Sequence, residues 1–246
     1  MTAMLASVRS AEEARIALAA GVDIIDLKEP DAGALGAVAP EVAVEVVGMV
    51  TGKAITSATV GDLQGDPQAI VDAVDTMSRT GVDIVKVGLF ENVDRAAVVA
   101  SLAAMTRAGR RLVAVLFADR EPVLDLKDLI AAEWYGVMLD TAVKASGSLP
   151  QLMPEDVLKR FVNDARTGGM HCGFAGSLGA DAVPALLRLH PDYLGFRGTL
   201  CDGNDRRHAL SAEKVAAVRA LIPADPRATR LRHKTAFRST RTMGRY

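Results

Sequence analysis

The segment YLGFRGTL (residues 193–200), followed by the helical pattern SAEKVAAVRALI (residues 211–222), distinguishes a closed barrel from an open sheet. It is the eighth repetition of one unit, a strand rich in aliphatic residues followed by a helix. A doubly wound sheet usually stops at five or six strands, whereas eight strand–helix pairs are the number in a (β/α)8 barrel. We therefore predict a single α/β domain, a (β/α)8 or TIM barrel, over residues 1–222.

Seven similar units precede this segment. Ser10, Pro40 and Pro67 stand where a helix would begin, because serine caps a helix N-terminus and proline fits its first turn. Half of the residues are hydrophobic and only 4% are aromatic, a composition typical of helices packed on parallel strands. The predicted strands cover residues 4–8, 24–28, 53–60, 83–90, 111–118, 135–140 and 170–177.

The last part of the chain differs from the rest in charge. Residues 226–246 contain seven Arg or Lys residues and no Asp or Glu, although the whole chain has a net charge of −1. We predict that residues 223–246 form a basic C-terminal extension outside the barrel. The net charge gives no reason to expect nucleic acid as a partner. No window approaches the ~20 apolar residues of a membrane span, so we expect a cytoplasmic protein without a membrane partner.

The two cysteines, Cys172 and Cys201, are too few for a disulfide framework and lack the paired spacing of a zinc site. We expect two buried thiols in a reducing cytoplasm. The sequence predicts neither a metal site nor an organic cofactor.

Charged residues lie near the ends of several predicted strands, where barrels of this type carry their active sites. Asp26 and Lys28 have the same parity on the second strand, and Lys86 lies between Val85 and Val87 on the fourth. A nearby cation and a low-dielectric wall lower the pKa of a lysine, which supplies the neutral amine that attacks a carbonyl. The alternative is that the lysines form two buried ion pairs, Lys28 with Asp26 and Lys86 with Asp140, which have a structural role in the core and no role in catalysis.

The sixth strand ends in Asp140, and Lys144 follows four residues later. A carboxylate and an ammonium group at this spacing could form an acid–base relay, although Lys144 could equally be a solvated loop residue.

The loops GFAGSLGAD (173–181) and GFRGTLCDG (195–203) follow the seventh and eighth strands, where such barrels commonly bind phosphate. Tight turns without a ligand are the alternative. As phosphate-binding residues we predict Gly176, Ser177, Arg197 and Gly198.

In combination, the segments DLKEP, GALGA, VKVG, MLDTAVK, GFAGSL and GFRG resemble those of the (5-formylfuran-3-yl)methyl phosphate synthase family of methanofuran biosynthesis. The resemblance covers roughly residues 2–222 and says nothing about the basic extension. It implies a lyase that condenses two molecules of glyceraldehyde 3-phosphate, with loss of phosphate and water and without a cofactor. Lys28 would form the Schiff base, oriented by Asp26, and Lys86 would be a second catalytic lysine. Asp140 and Lys144 would assist proton transfers.

Two other classes of function stay open from the residues alone. A class I aldolase or isomerase acting on another sugar phosphate would share the lysines and phosphate loops but release a linear product. A non-catalytic barrel that binds a phosphorylated metabolite would show affinity without a covalent adduct. In each case the expected partner is a small phosphorylated molecule, and we expect a homo-oligomer.

Overall fold

The computed structural model describes residues 1–63, 66–91, 94–120, 122, 124–143 and 146–223. Lys144 and the basic extension beyond Pro223 therefore lie outside the described residues.

Eight parallel strands form a closed barrel in sequence order, in which each strand pairs with the next and β8 pairs with β1. At the closure, Leu5 of the first strand lies opposite Gly195 of the last. The predicted (β/α)8 barrel is confirmed. The strands are β1 (Ala3–Val8), β2 (Ile24–Leu27), β3 (Ile55–Thr59), β4 (Ile84–Gly88), β5 (Leu112–Phe117), β6 (Gly136–Asp140), β7 (His171–Phe174) and β8 (Tyr193–Phe196).

Helices follow every strand. Ser10 caps the first helix by accepting a hydrogen bond from the Glu13 N–H, and Pro40 and Pro67 each lie in a first helical turn, as expected. A helix that we did not predict, α6, follows β6. The helices are α1 (Ala11–Ala19), α2 (Pro40–Val50), α3 (Pro67–Arg79), α4 (Arg95–Arg107), α5 (Lys127–Ala131), α6 (Leu149–Leu152), α7 (Glu155–Thr167), α8 (Val183–Leu187) and α9 (Ala212–Leu221).

None of the helices in the described part of the chain is long and apolar enough to cross a membrane.

The alternation of side chains along the strands separates the core into two clusters. One strand face packs against the surrounding helices. The other face fills the barrel interior with an apolar floor, to which Leu5, Ile24, Ile84, Met138 and Tyr193 contribute. Since residues two apart share a face, the charged residues that follow these positions on β2, β4 and β6 lie inside the barrel, between the floor and the mouth.

The last two strands are shorter than predicted. Strand β7 ends at Phe174, because Gly176 (φ 92°) and Ser177 (φ 50°) take left-handed backbone conformations that a strand cannot continue. Strand β8 ends at Phe196, and Gly198–Leu200 forms a 3-10 turn. Both loops therefore turn over the mouth of the barrel instead of extending beyond it.

Candidate active site

A cavity of about 540 Å³ opens at the carboxyl ends of the strands. It is lined by side chains of β1, β4 and β6 and by the residue that follows β2, including Ser7, Lys28, Lys86 and Asp140. The loops after β7 and β8 line the rest of the cavity. The cavity therefore brings together Lys28, Lys86 and the predicted phosphate loops.

Asp26 is the centre of a polar cluster above the apolar floor. Its carboxylate lies 2.7 Å from Lys86 Nζ and accepts hydrogen bonds from Ser7 Oγ (2.8 Å) and Ser57 Oγ (2.6 Å). Asp26 has no solvent exposure, and the Lys86 side chain is 4% exposed. A buried carboxylate is tolerated when it is paired and hydrogen-bonded, and this cluster meets both conditions.

Lys28 follows Asp26 by two residues, which brings it nearer the mouth of the barrel, and it lies beside Asp140. Its Nζ is 3.6 Å from Asp140 Oδ2, longer than a hydrogen bond, and both side chains are almost fully buried. The other oxygen of Asp140 accepts a hydrogen bond from the backbone N–H of Thr141 at 2.7 Å. The contact of Lys28 with its carboxylate is thus looser than that of Lys86.

The two lysines pair with the opposite carboxylates from those of the alternative considered from the sequence, Lys28–Asp26 and Lys86–Asp140. Asp26 contacts Lys86, not the lysine two residues after it, and Asp140 contacts Lys28. Parity along a strand predicts which side chains face inward, but the neighbour across the barrel depends on the stagger between strands. In that register Asp26 lies opposite Ser7 and Ser57.

The predicted phosphate residues Gly176, Ser177 and Gly198 all line the cavity. Gly176 is required by a close approach, because a Cβ atom there would lie 2.8 Å from Thr141 Cγ2 and 3.0 Å from the Thr141 nitrogen. Ser177 takes a left-handed conformation in which non-glycine residues are uncommon, and such strain is often found at functional sites.

Arg197 also lines the cavity, but its guanidinium is occupied by protein acceptors. Nη1 and Nη2 both donate to the buried carboxylate of Glu13. The remaining donors contact backbone carbonyl oxygens of Ser7, Arg206 and His208 at 3.2, 2.8 and 3.0 Å. A guanidinium has five N–H donors. Arg197, which we predicted to bind phosphate, therefore has no N–H donor left for a phosphate in this arrangement.

Two further residues around the mouth had no role in the sequence prediction. Asp62 accepts hydrogen bonds from the N–H groups of Ala34 (2.7 Å) and Leu35 (2.6 Å), which fixes the loop after β2. Arg206, in the loop after β8, lines the cavity and donates to the Gly33 carbonyl oxygen at 2.6 Å. An aspartate shortly after a strand end is a signal that could have suggested Asp62.

Both cysteines are buried, as expected. Burial raises the pKa of the Cys201 thiol to about 11 and raises the pKa of Cys172 further. Both are therefore neutral thiols at physiological pH and poor nucleophiles. Among the described residues, no group of three His, Cys, Asp or Glu side chains converges as metal ligands would.

Fold and site together define a (β/α)8 barrel with two buried lysine–carboxylate pairs below the glycine-rich loops that follow β7 and β8. A family model described as 4-HFC-P synthase matches residues 4–219. The chain belongs to this family.

Relatives named (5-formylfuran-3-yl)methyl phosphate synthase occur in Methanosarcina mazei and Methanocaldococcus jannaschii. The first is 36% identical over 225 residues, 86% of this chain and 95% of the relative. The second is 34% identical over 232 residues, 89% and 98% of the two chains. A protein of Methylorubrum extorquens with a provisional form of the same name is 44% identical over 226 residues, 92% of this chain and 93% of the relative. The name of these relatives indicates enzymes that form a furan phosphate.

Solved structures with low sequence identity share the fold. Phosphoribosyl anthranilate isomerase from Thermus thermophilus superposes with a TM-score of 0.64 at 14% identity, covering 90% of this chain and 98% of the isomerase. A 3-hexulose-6-phosphate synthase gives 0.59 at 19% identity, covering 90% and 100%. At such identity the likeness concerns the barrel alone.

Proposed function

We propose that this protein condenses two molecules of glyceraldehyde 3-phosphate into (5-formylfuran-3-yl)methyl phosphate through an imine on Lys28. The observation that carries the proposal is the presence of Lys28, Lys86 and Asp140 in one cavity with the glycine-rich loops after β7 and β8. The family membership supports the furan phosphate as the product.

The two lysines differ in how they are held, and this difference favours Lys28 as the nucleophile. Lys86 Nζ lies 2.7 Å from Asp26, whose carboxylate has two further hydrogen-bond donors. An amine held in so close an ion pair with a buried carboxylate is less available for attack on a carbonyl. Lys28 is 3.6 Å from Asp140 and lies nearer the mouth. The cation of Lys86 then contributes positive potential beneath the reacting carbonyl.

The chemistry follows from an imine as an electron sink. Attack of Lys28 on a carbonyl releases water, and the resulting iminium makes a neighbouring C–H acidic. Loss of that proton gives an enamine, which expels the phosphate at the β-carbon. The enol that remains attacks, through that carbon, the ketone carbon of the second triose after this triose has isomerised to the ketose. Ring closure through the hydroxymethyl oxygen with loss of two waters, followed by hydrolysis of the imine, then gives the furan. Two trioses minus one phosphate and two waters have the composition of the product.

Asp140 is placed to exchange protons with the bound carbon skeleton, because its carboxylate is beside Lys28 and at the cavity wall. Lys144, which we assign to the same relay, lies outside the described residues. Asp26 acts through Lys86, which it holds and orients. For the phosphate group we propose the backbone of Gly176, Ser177 and Gly198, with Arg197 beside them holding the loop after β8.

The test is incubation of the purified protein with glyceraldehyde 3-phosphate alone, with ultraviolet absorbance and inorganic phosphate followed together. The expected result is an absorbing furan aldehyde and one phosphate released per furan. A linear sugar phosphate without phosphate release would identify an aldolase or isomerase. Binding without turnover or borohydride-trapped adduct would identify a non-catalytic barrel.

A further inference from the structure

Arg206 stands at the junction of two cavities at the mouth of the barrel. It lines the cavity that contains the lysines, and it lines a second cavity formed by the loops after β2, β3, β4, β5 and β6, with Asp62, Phe90 and Arg120 in its wall. The side chain is half-buried. The Arg206 guanidinium can therefore contact a ligand bound in either cavity.

The hydrogen bonding of Arg206 contrasts with that of Arg197. Across the described part of the chain, the Arg206 guanidinium has one hydrogen-bond acceptor, the carbonyl oxygen of Gly33. The other cations that line the lysine cavity are engaged with carboxylates: Lys28 with Asp140, Lys86 with Asp26, and Arg197 with Glu13. Among the described residues, Arg206 is therefore the cation of this cavity that has no carboxylate partner, and its guanidinium keeps further N–H donors beyond the one bonded to Gly33.

The position of Arg206 is fixed from both sides. On its own loop, Arg197 donates to the backbone carbonyl of Arg206 and to that of His208. Across the mouth, the loop that carries the Gly33 acceptor is held by the Asp62 carboxylate. Gly33 has φ 114°, and a Cβ atom there would lie 2.2 Å from Asp62 Oδ2. The guanidinium is thus presented by two constrained loops and is not a freely moving surface side chain.

We propose that Arg206 binds the phosphate group of the substrate held on Lys28, and that Arg197 and Glu13 are positioning residues that hold the loop carrying Arg206. The identity of the substrate in this proposal rests on the proposed function. The phosphate contact of Arg206 does not depend on it. A planar guanidinium with free donors suits a phosphate, because it can offer two parallel N–H groups.

The charges around the cavity support this assignment. Burial lowers the pKa of Arg206, while the nearby carboxylates of Asp140 and Asp62 raise it. An arginine remains protonated at physiological pH throughout such shifts. Asp205, which also lines the cavity, is paired with Arg207 at 2.8 Å, so its negative charge is compensated by a neighbouring guanidinium.

The experiment measures binding of inorganic phosphate to the full chain by calorimetry or by ³¹P NMR, for Arg206→Ala, Arg206→Lys and the unmodified protein. Loss of charge-assisted hydrogen bonds should weaken phosphate binding by about ten- to a hundredfold in Arg206→Ala, with a smaller loss in Arg206→Lys. The control is Arg160→Ala, which removes an exposed guanidinium of α7 that lies 3.9 Å from Asp156 and should leave the affinity unchanged.

The same variants are assayed with glyceraldehyde 3-phosphate. Loss of a phosphate contact that is equally strong in ground state and transition state raises KM more than it lowers kcat, so Arg206→Ala should act mainly on KM. Unchanged phosphate affinity in folded Arg206→Ala, or no phosphate binding by the unmodified protein, would overturn the Arg206 proposal. If phosphate binding depends on Arg206 but no furan forms, the proposed reaction fails while the phosphate site stands.

Discussion

The Nζ atom of Lys86 lies 2.7 Å from the Oδ1 atom of Asp26, and neither side chain is accessible to more than a trace of solvent. Asp26, the most buried carboxylate of the barrel, therefore pairs with Lys86 of β4. It does not pair with Lys28, although Lys28 is only two residues away in sequence. Lys28 is left beside Asp140. The two lysines therefore have different partners and, in our proposal, different tasks.

The Asp26–Lys86 pair should behave as one unit in stability measurements. Either Asp26→Asn or Lys86→Met leaves a buried charge without its partner, which typically costs about 3–5 kcal/mol, whereas replacing both is often close to neutral. In urea unfolding at pH 7, the double variant should therefore lose much less than the sum of the single losses. The control cycle uses the exposed pair Arg79–Asp75, for which we expect a coupling of less than about 1 kcal/mol. Additive losses at Asp26 and Lys86 would contradict the pairing.

Lys28→Arg should abolish turnover while phosphate binding is retained. Arginine keeps the positive charge beside Asp140 but cannot form an imine. Borohydride reduction in the presence of glyceraldehyde 3-phosphate, followed by peptide mass mapping, should place the adduct of the unmodified protein on the peptide that contains Lys28. The control variant is Lys53→Arg, an exposed residue before β3 at the opposite end of the barrel. An adduct on Lys86 would exchange the two roles, and an active Lys28→Arg protein would refute the imine assignment.

Glu13→Ala and Arg197→Lys should have parallel effects, because the two side chains form one buried pair. Glu13→Ala leaves the guanidinium of Arg197 without its carboxylate, and we expect a loss of about 3–5 kcal/mol in the free energy of unfolding. Both variants should also weaken phosphate binding, since the loop that carries Arg206 loses its support. If Arg197→Lys weakens phosphate binding and a folded Glu13→Ala does not, Arg197 contacts the phosphate directly.

Removal of residues 224–246 should leave both fold and turnover intact. The family match ends at residue 219, and the barrel closes through β8 and α9 without the basic extension. The measurement compares kcat and KM of the shortened and full chains at equal ionic strength. A chain ending at Leu210 is the contrasting control, because it lacks α9 with the buried Val215 and Val218 and should not fold. Loss of turnover in a folded chain ending at Pro223 would show that the extension reaches an active site.

The closed barrel could be predicted because short buried segments alternate with helical patterns and this unit repeats eight times. The inward direction of Asp26, Lys28 and Lys86 follows from parity on their strands. The choice of ion-pair partner could not be predicted, because it depends on the stagger between strands that are far apart in sequence. The role of Arg206 could not be predicted for a related reason. It lies ten residues beyond β8 in an irregular loop, where the sequence has no periodic pattern that would indicate which way its side chain points.

The partners of Asp26 all come from the first half of the chain: Ser7 on β1, Ser57 on β3 and Lys86 on β4. Asp140 and the glycine-rich loops after β7 and β8 come from the second half. A chain that grows from its amino terminus can therefore neutralise its most costly buried charge as soon as β4 has joined β1–β3. The cavity is completed only by the last strand and the loop that follows it, so that one half-barrel holds the two lysines and the other closes the pocket around them.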